Sequence, residues 1–242
     1  MVAVIHSPHT YNVTHGVRMN LTVMQSAAFK EAYEALLPAF EQASGHKVTT
    51  LWTPSVDMMS RLKGGEVVDL VIMSAAAIDE LIQHGKLVAR VDLAESGVAL
   101  AVRAGAPQPD ISSQDALKRA LIAAKSVCYS TGPSGIYLAG LFEKMGIAEQ
   151  IKAKQVVVKG EPAGAVVARG EAEIGFQQMS ELLPVAGIDI VGPLSDDVQR
   201  ITVFSAGVHA QAPQAAAAQA LIRHLTAAAA APVITKSGMQ PV

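Results

Sequence analysis

The feature that most constrains the fold of this chain is the regular alternation of strand-like and helix-like segments. In the first hundred residues, short runs of apolar or β-branched residues predict strands, and longer runs with apolar residues at helical spacing predict helices. The predicted strands are 21–24, 47–52 and 67–73, and the predicted helices are 29–43, 56–62 and 76–84. Strands that alternate with helices form a mostly parallel sheet with helices on both faces. We therefore predict an α/β fold of doubly wound sheets.

The second half repeats this pattern and predicts a second lobe of the same kind. Its predicted helices cover 114–124, the segment that begins at 134, and 163–168, and its predicted strands cover 125–129, 155–158 and 174–177. Near the C-terminus, the alanine-rich segment 215–231 predicts a helix that packs on the first lobe and is closed by Pro232.

Two strand-like segments bounded by glycine, 97–102 and 201–207, join the two halves. We predict that they lie side by side as crossover strands. The predicted domains are then an N-terminal extension at 1–20, lobe 1 at 21–100 plus 204–242, and lobe 2 at 101–203. Ligands of open α/β sheets bind beyond the carboxyl ends of the strands, so turns from both lobes are expected to line one cleft.

A small-residue turn, Ser130–Tyr137, lies between a predicted strand and a long predicted helix. The first amides of a helix have no partner within the helix, and the helix dipole places positive charge there, so an anion can bind without a basic side chain. Ser134 offers a hydroxyl, Gly135 permits close approach, and Pro133 fixes the entry of the chain. The alternative for this turn is an ordinary capped helix start.

Composition excludes several classes of function. Of the 242 residues, 50% are hydrophobic and 17% charged, with a formal net charge of −2, so no basic surface for nucleic acid is expected. Aromatic residues make up 4%, which argues against a stacking platform for bases. The single cysteine, Cys128, lies in an apolar run and is predicted to be a buried small hydrophobe. Neither a metal site nor a cofactor motif is predicted, because the histidines form no ligand spacing.

Several segments together carry a resemblance to a known family. The sequence resembles the type 2 periplasmic solute-binding proteins, specifically the molybdate-binding component of ABC transporters and its relatives. The resemblance covers residues 21–241 and implies two lobes that close on a ligand. It rests on Leu21–Val23 with Ser26–Ala28, Gly45–Val48, Gly64–Leu70, Gly132–Tyr137, Gly170–Gln178 with Ser180–Pro184, Val191–Leu194 and Phe204–Gly207.

This resemblance implies a set of ligand-binding residues. Of the two serines with which lobe 1 of the family holds its oxyanion, one matches Ser55, and the other falls at Ala28, with Ser26 as its substitute beside Ala27. In lobe 2 the family's amides match Ser134 and Gly135, with a further contact near Gly160 and Glu161, and its tyrosine falls at Gln178. These differences imply a different or larger ligand than molybdate.

The same branch also resembles aconitate isomerase, an enzyme built on this fold, which implies a second class of function. Moving the double bond of a tricarboxylate requires anion binding and one group that takes and returns a proton. The turn at Ser134 and the hydroxyl of Ser55 are candidate anion contacts, with Arg61 or Lys30 beside them. The candidates for the proton carrier, and thus the catalytic residue, are Lys30, Asp57 and Glu161.

The preferred hypothesis is a two-lobed protein that binds a small anion, either an oxyanion or a carboxylate, with aconitate isomerisation as the alternative. The expected partners are the anionic ligand and, by resemblance, an ABC transporter permease. The resemblance implies a periplasmic location. The segment 1–19 contains no apolar run typical of an export signal, which leaves a cytoplasmic location open, and Met19 at its end is an alternative start. No insertion into a membrane is predicted, because no apolar stretch is long enough to span one.

Overall fold

The computed structural model describes residues 19–242, so the predicted extension before Met19 lies outside the described residues. The strands are β1 (Asn20–Gln25), β2 (Lys47–Trp52), β3 (Leu70–Ser74), β4 (Val91–Arg103), β5 (Val127–Ser130), β6 (Gln155–Val158), β7 (Ile174–Gln178), β8 (Ile188–Pro193), β9 (Ile201–Val208) and β10 (Gln240–Pro241). The helices are α1 (Lys30–Ser44), α2 (Ser55–Lys63), α3 (Ala75–Gln83), α4 (Gln114–Ala123), α5 (Pro133–Lys144), α6 (Ala148–Lys152), α7 (Ala163–Ala168), α8 (Met179–Leu182), α9 (Ala215–Leu225) and α10 (Ala231–Lys236).

The strands run in the order β2-β1-β3-β9-β4-β7-β5-β6, with β8 and β10 also paired to β4. In lobe 1, β1 is parallel to β2 and β3, whereas β9 is antiparallel to β3 and β4. In lobe 2, β5 is parallel to β6 and β7, and β7 is antiparallel to β4. The predicted two-lobed α/β fold is confirmed.

Alternate residues of the central strands pack into different cores, which is why helices cover both faces. In β3, Leu70 and Ile72 belong to the core that α1 and α9 cover, whereas Val71 and Met73 belong to the core under α2 and α3. Lobe 2 follows the same rule around Cys128, which is fully buried as predicted. Burial raises the pKa of this thiol to about 11, so Cys128 is a core residue and not a thiolate.

The crossover between the lobes is made largely by β4, and the predicted pairing needs a correction. The first part of β4, 91–97, pairs with β9, and the part after it, 98–102, pairs with β7. The two predicted segments therefore meet only where Gly97 lies opposite Ile201. The strand continues through Gly97, which the sequence pattern marked as a boundary, because residues on both sides of it find pairing partners.

The C-terminal segment also differs from the prediction. Helix α9 ends at Leu225, and Pro232 lies in the first turn of α10 instead of closing the preceding helix. Proline fits the first turn because its missing N–H has no helical partner there. Between these helices a short 3-10 turn, Ala228–Ala230, bends the chain. In residues 19–242 no single helix is long and apolar enough to cross a membrane, and α9 with the following segment passes that test only as a pair bent by 56°.

Candidate ligand-binding site

A cavity of about 490 Å³ opens between the two lobes. It lies beyond the carboxyl ends of β1, β2, β5, β6 and β7, where ligands of open α/β sheets bind. Lobe 1 contributes residues 26–28, 30–31 and 52–55 to its wall, and lobe 2 contributes 130–133, 158, 160–162, 177, 180–181 and 184–185. Phe204 of β9 completes the lining.

Helices begin at the cavity on both lobes, because each follows the end of a strand. Ser55 starts α2 after Pro54, and Pro133 starts α5 after Gly132. The first amides of these helices have no partner within the helix, so they are available to an anion. The structure therefore provides positive ends of backbone dipoles on opposite walls of one cavity.

Several of the predicted site residues lie together on this wall. From lobe 1 the structure brings Ser26, Ala27, Ala28, Lys30 and Ser55 to the cavity, and from lobe 2 it brings Gly160 and Glu161. The assignment of these residues to ligand binding stays a prediction.

Two other predicted residues, Ser134 and Gly135, are buried in the first turn of α5 and do not line the cavity. A Cβ built on Gly135 would lie 1.6 Å from the carbonyl oxygen of Ser130. Glycine here permits the close approach of α5 to the end of β5, and the expected contact of Ser134 and Gly135 with a ligand stays a prediction. Ser130, Thr131 and Pro133 form this part of the wall instead.

Gln178 is fully buried behind the cavity wall, and its side chain forms hydrogen bonds with β4 and β9. With its amide oriented to satisfy its neighbours, its Nε2 donates to the carbonyl oxygen of Ser96 at 2.9 Å, and its Oε1 accepts from Thr202 Oγ1 at 3.1 Å. Gln199 also holds the crossover strand β4. It accepts a hydrogen bond from the amide of Val98 at 2.8 Å and donates one to the Val98 carbonyl oxygen at 3.1 Å. Gln178 thus contacts strands of the crossover and does not line the cavity.

The charged candidates Asp57 and Arg61 also lie outside the lining. Asp57 forms an ion pair with Lys159 at 2.7 Å. Arg61 donates to both carboxylate oxygens of Glu66 at 2.6 Å, and its Nη1 lies 3.2 Å from Thr53 Oγ1 at the cavity wall. The charge of the guanidinium is therefore neutralised by Glu66. Arg61 is linked to the cavity wall by its hydrogen bond to Thr53.

Among the described residues that line the cavity, Lys30 is the one basic side chain. Its Nζ lies 5.6 Å from the centre of the Trp52 ring, within the range of a cation–π contact. On the opposite lobe, Glu161 pairs with Arg169 at 3.0 Å. Lys30 therefore supplies positive charge, whereas the charge of Glu161 is compensated.

A carboxyl that the sequence analysis did not assign, Glu181, also lies on the wall. It accepts a hydrogen bond from Gln177 Nε2 at 2.8 Å. Burial raises the pKa of Glu181 to about 7, and the hydrogen bond from Gln177 offsets part of the rise. Gln177 also accepts from the amide of Ala163 at 2.8 Å, which fixes its orientation.

The sequence feature that could have pointed to Glu181 is its position relative to the start of α8. It stands three residues after Gln178, the N-cap of α8, at a position where a glutamate often accepts a hydrogen bond from the chain, and it belongs to a segment that carries the family resemblance. Near it, Ser180 Oγ is buried at the wall without a hydrogen-bond partner among the described residues, and so is the side-chain amide of Gln25 beside Ser26. Such groups leave hydrogen-bonding capacity unused near the cavity.

Comparison with known proteins identifies the family. The model of the bacterial extracellular solute-binding protein family matches residues 21–240. The chain belongs to this family. It is 42% identical to an aconitate isomerase from Pseudomonas sp. over 230 residues, covering 92% of this chain and 88% of that protein.

Solved structures of the same fold include solute-binding proteins with low sequence identity. The periplasmic molybdate-binding protein of Azotobacter vinelandii matches with a TM-score of 0.73 and 17% identity, covering 90% of this chain and 98% of that one. The sulfate-binding protein SubI of Mycobacterium tuberculosis H37Rv matches with a TM-score of 0.75 and 20% identity, covering 93% and 88%. At these identities the likeness shows the fold, and the predicted resemblance is confirmed at that level.

Proposed function

We propose that this solute-binding protein captures a small anion in the cavity between its lobes, and that the anion is a carboxylate with more than one charged group. The observation that carries the proposal is a 490 Å³ cavity with helix starts on both walls and Lys30 as its basic side chain. A tetrahedral oxyanion fills only a small part of this volume. A di- or tricarboxylate fills more of it and offers several charged groups to the helix starts and to Lys30.

Recognition in this proposal rests mainly on neutral hydrogen bonds and helix ends. The hydroxyls of Ser26 and Ser55 face the ligand from lobe 1, and the backbone at Thr131 and Gly160 faces it from lobe 2. A ligand that leaves such enclosed donors unpaired is rejected, because each unpaired buried group costs about 1–3 kcal/mol. The ligand is expected to draw together lobe 1 (21–100 plus 204–242) and lobe 2 (101–203) by bending at the crossover.

A role in transport would add an ABC transporter permease as partner and the periplasm as location. Membership of the extracellular solute-binding family supports both.

Aconitate isomerisation is the second candidate function. It is favoured by the relative of that name, which is 42% identical over 92% of this chain, and by the presence of a partly enclosed carboxyl, Glu181, on the cavity wall. The reaction needs a base and an acid but no oxidant, so one carboxyl can serve both steps. The main proposal requires only that aconitate or a similar anion is bound.

The proposal is tested by thermal unfolding with cis-aconitate, trans-aconitate, citrate, molybdate, tungstate and sulfate added separately. A ligand that binds only the folded protein raises the midpoint, by an amount equivalent to about 2.7 kcal/mol at a hundred times its Kd. We expect the carboxylates to raise it. A rise with the tetrahedral oxyanions alone would contradict the carboxylate assignment.

A pair of serine variants tests where the anion binds. Ser55→Ala removes a hydroxyl from the cavity wall, whereas Ser60→Ala removes one from an exposed position of the same helix. We expect the rise in midpoint caused by the best carboxylate to shrink in Ser55→Ala and to be unchanged in Ser60→Ala. Equal responses would place the ligand elsewhere. A proton NMR assay that follows cis- and trans-aconitate with the wild type decides whether the bound anion is also isomerised.

A further inference from the structure

Three carboxyls line the cavity, and their surroundings differ. Glu161 is paired with Arg169, and Glu31 is exposed at the start of α1. Glu181 forms no ion pair with any described residue and lies partly buried against lobe 2. Of the three wall carboxyls, Glu181 is therefore the one that is both partly buried and outside any ion pair among the described residues.

The Glu181 carboxyl is also held in place. Gln177 Nε2 donates to its Oε1, and Gln177 is itself fixed by the amide of Ala163. A group that exchanges a proton with a bound ligand must be oriented in this way, because proton transfer requires hydrogen-bond reach.

We propose that Glu181 is the proton-transfer residue of this cavity, removing a proton from the methylene carbon of bound aconitate and returning it to the carbon at the far end of the double bond. The inference rests on the second candidate function, aconitate isomerisation. It assigns that step to a residue distinct from Lys30, Asp57 and Glu161, which the sequence analysis considered.

The step balances without a further reactant. The carboxylate takes the methylene proton, and the electron pair of the broken C–H bond spreads over the three-carbon allyl unit and its attached carboxylates. The carboxylic acid then returns a proton to the opposite end of that unit, so one C–H bond breaks, one forms, and the double bond moves by one position. Lys30, on the wall of the other lobe, supplies positive charge for the negative charge that develops on the ligand.

The protonation equilibrium of Glu181 agrees with this role. A base that must later act as an acid works best when its pKa is near the working pH. The pKa of Glu181, raised by burial to about 7, meets that condition at neutral pH.

A structural role is the competing explanation, because a glutamate at this position of a helix also caps its first turn. Glu181→Gln separates the two roles. The amide oxygen of glutamine can still accept from Gln177, so this contact in the first turn of α8 is kept. The amide cannot take up a proton from carbon, so the chemistry is lost.

The experiment follows trans-aconitate by proton NMR in D₂O with the wild type, Glu181→Gln and the surface control Glu143→Gln, and measures aconitate binding by thermal unfolding. We expect the wild type and the Glu143 variant to isomerise aconitate and to incorporate deuterium. In Glu181→Gln we expect both rates to fall by about 10²- to 10⁴-fold, the usual contribution of a general base, while aconitate still raises the midpoint.

The outcomes that overturn the proposal are distinct from those that overturn the function. Wild-type protein that binds aconitate without isomerising it contradicts the isomerase function and the role of Glu181 together, and leaves anion binding intact. Isomerisation that persists at the wild-type rate in Glu181→Gln contradicts only the role of Glu181. Glu181→Asp keeps an acid with shorter reach, so deuterium incorporation should fall but persist. An unchanged rate in this variant also overturns the assignment, even if Glu181→Gln fails to fold.

Discussion

Gly135 shows how a single missing side chain positions a cavity wall. A Cβ at this position would lie 1.6 Å from the Ser130 carbonyl oxygen, which is backbone and cannot move aside as a side chain would. Gly140, in the same helix, has no atom within 4 Å of its would-be Cβ. The packing therefore requires glycine at position 135 and leaves room for a side chain at position 140.

We predict that Gly135→Ala lowers the free energy of unfolding by at least about 1–3 kcal/mol, the usual cost of overpacking. Gly140→Ala should leave it unchanged or raise it by up to about 1 kcal/mol, because alanine is favoured over glycine within a helix. Urea unfolding of both variants measures the difference. If Gly135→Ala were as stable as Gly140→Ala, α5 would not lie against the end of β5 as described.

Glu181 gives a prediction on stability that is independent of any ligand. Its pKa is about 7 in the folded protein and 4.5 ordinarily, so the folded chain holds an extra proton between these pH values. This extra proton contributes to the free energy of unfolding. The contribution is complete below about pH 4.5 and is lost as the pH rises through about 7. Relative to Glu181→Gln, the wild type should therefore lose stability from pH 5 to pH 8.

Melting temperatures of the two proteins across this range measure the effect. A loss on the order of 1 kcal/mol corresponds to a fall of about 2–4 °C in a chain of this size. The glutamine variant serves as the reference because it keeps the hydrogen-bond acceptor and cannot titrate. A constant difference between the two melting temperatures would show that Glu181 does not titrate in this window.

The sequence predicted much of the cavity wall and missed part of it for a physical reason. Ser55 and Gly160 were placed correctly at the cavity, because both follow the ends of recognisable strands. Ser134 and Gly135 lie behind Pro133 in the first turn of α5, because adjacent residues of a helix face different directions, and their contact with a ligand stays a prediction. Gln177 and Glu181 acquire their arrangement from a hydrogen bond across four residues, and residue types alone do not indicate it.

At the scale of elements, Asp69 joins three parts of lobe 1. Its carboxylate accepts from the amide of Thr22 in β1 at 2.8 Å and from the amide of Gln214 before α9 at 2.7 Å. Asp69 immediately precedes β3 and is 3% exposed. One buried side chain therefore aligns the start of β3 with a neighbouring strand and a distant helix.

We predict that Asp69→Asn lowers the free energy of unfolding by about 1–3 kcal/mol. The asparagine NH₂ group cannot accept a hydrogen bond, so one of the two buried amides loses its partner. The expected change is the usual cost of leaving a buried polar group unpaired. Urea unfolding measures the change, with the exposed Asp196→Asn as the control. Equal stability of the two variants would show that the buried amides do not depend on this carboxylate.

Element boundaries were predictable where a breaker accompanied the periodic pattern, and not elsewhere. Helix α1 ends before Gly45, whose φ of 71° suits glycine, and the sequence marks that end. Within the alanine-rich C-terminal segment no glycine or proline marks the end of α9 at Leu225, so the sequence pattern does not indicate it. The length of β4 likewise depends on partners from both lobes, which are distant in sequence.

At the scale of the whole molecule, an ion pair joins the two lobes beside the cavity. Asp57 lies in α2 of lobe 1, and Lys159 follows β6 in lobe 2, with 2.7 Å between the carboxylate and the ammonium group. Both side chains are partly exposed, so the pair contributes about 0.2–1 kcal/mol. If the lobes separate when the ligand leaves, the pair exists only in the closed form and favours the form that holds the ligand.

We predict that Asp57→Asn raises the Kd of the carboxylate ligand by up to about fivefold at low salt, because this factor corresponds to the loss of about 1 kcal/mol from the ion pair. The difference from wild type should shrink in high salt, because salt screens exposed charges. Calorimetric titration at both salt concentrations measures it, and small-angle scattering should show a larger radius of gyration for the ligand-free variant. Lys63→Gln is the matched control, since it breaks an exposed pair with Glu80 that lies within lobe 1. The same change in Kd for both variants would exclude a role of the Asp57–Lys159 pair in closing the lobes.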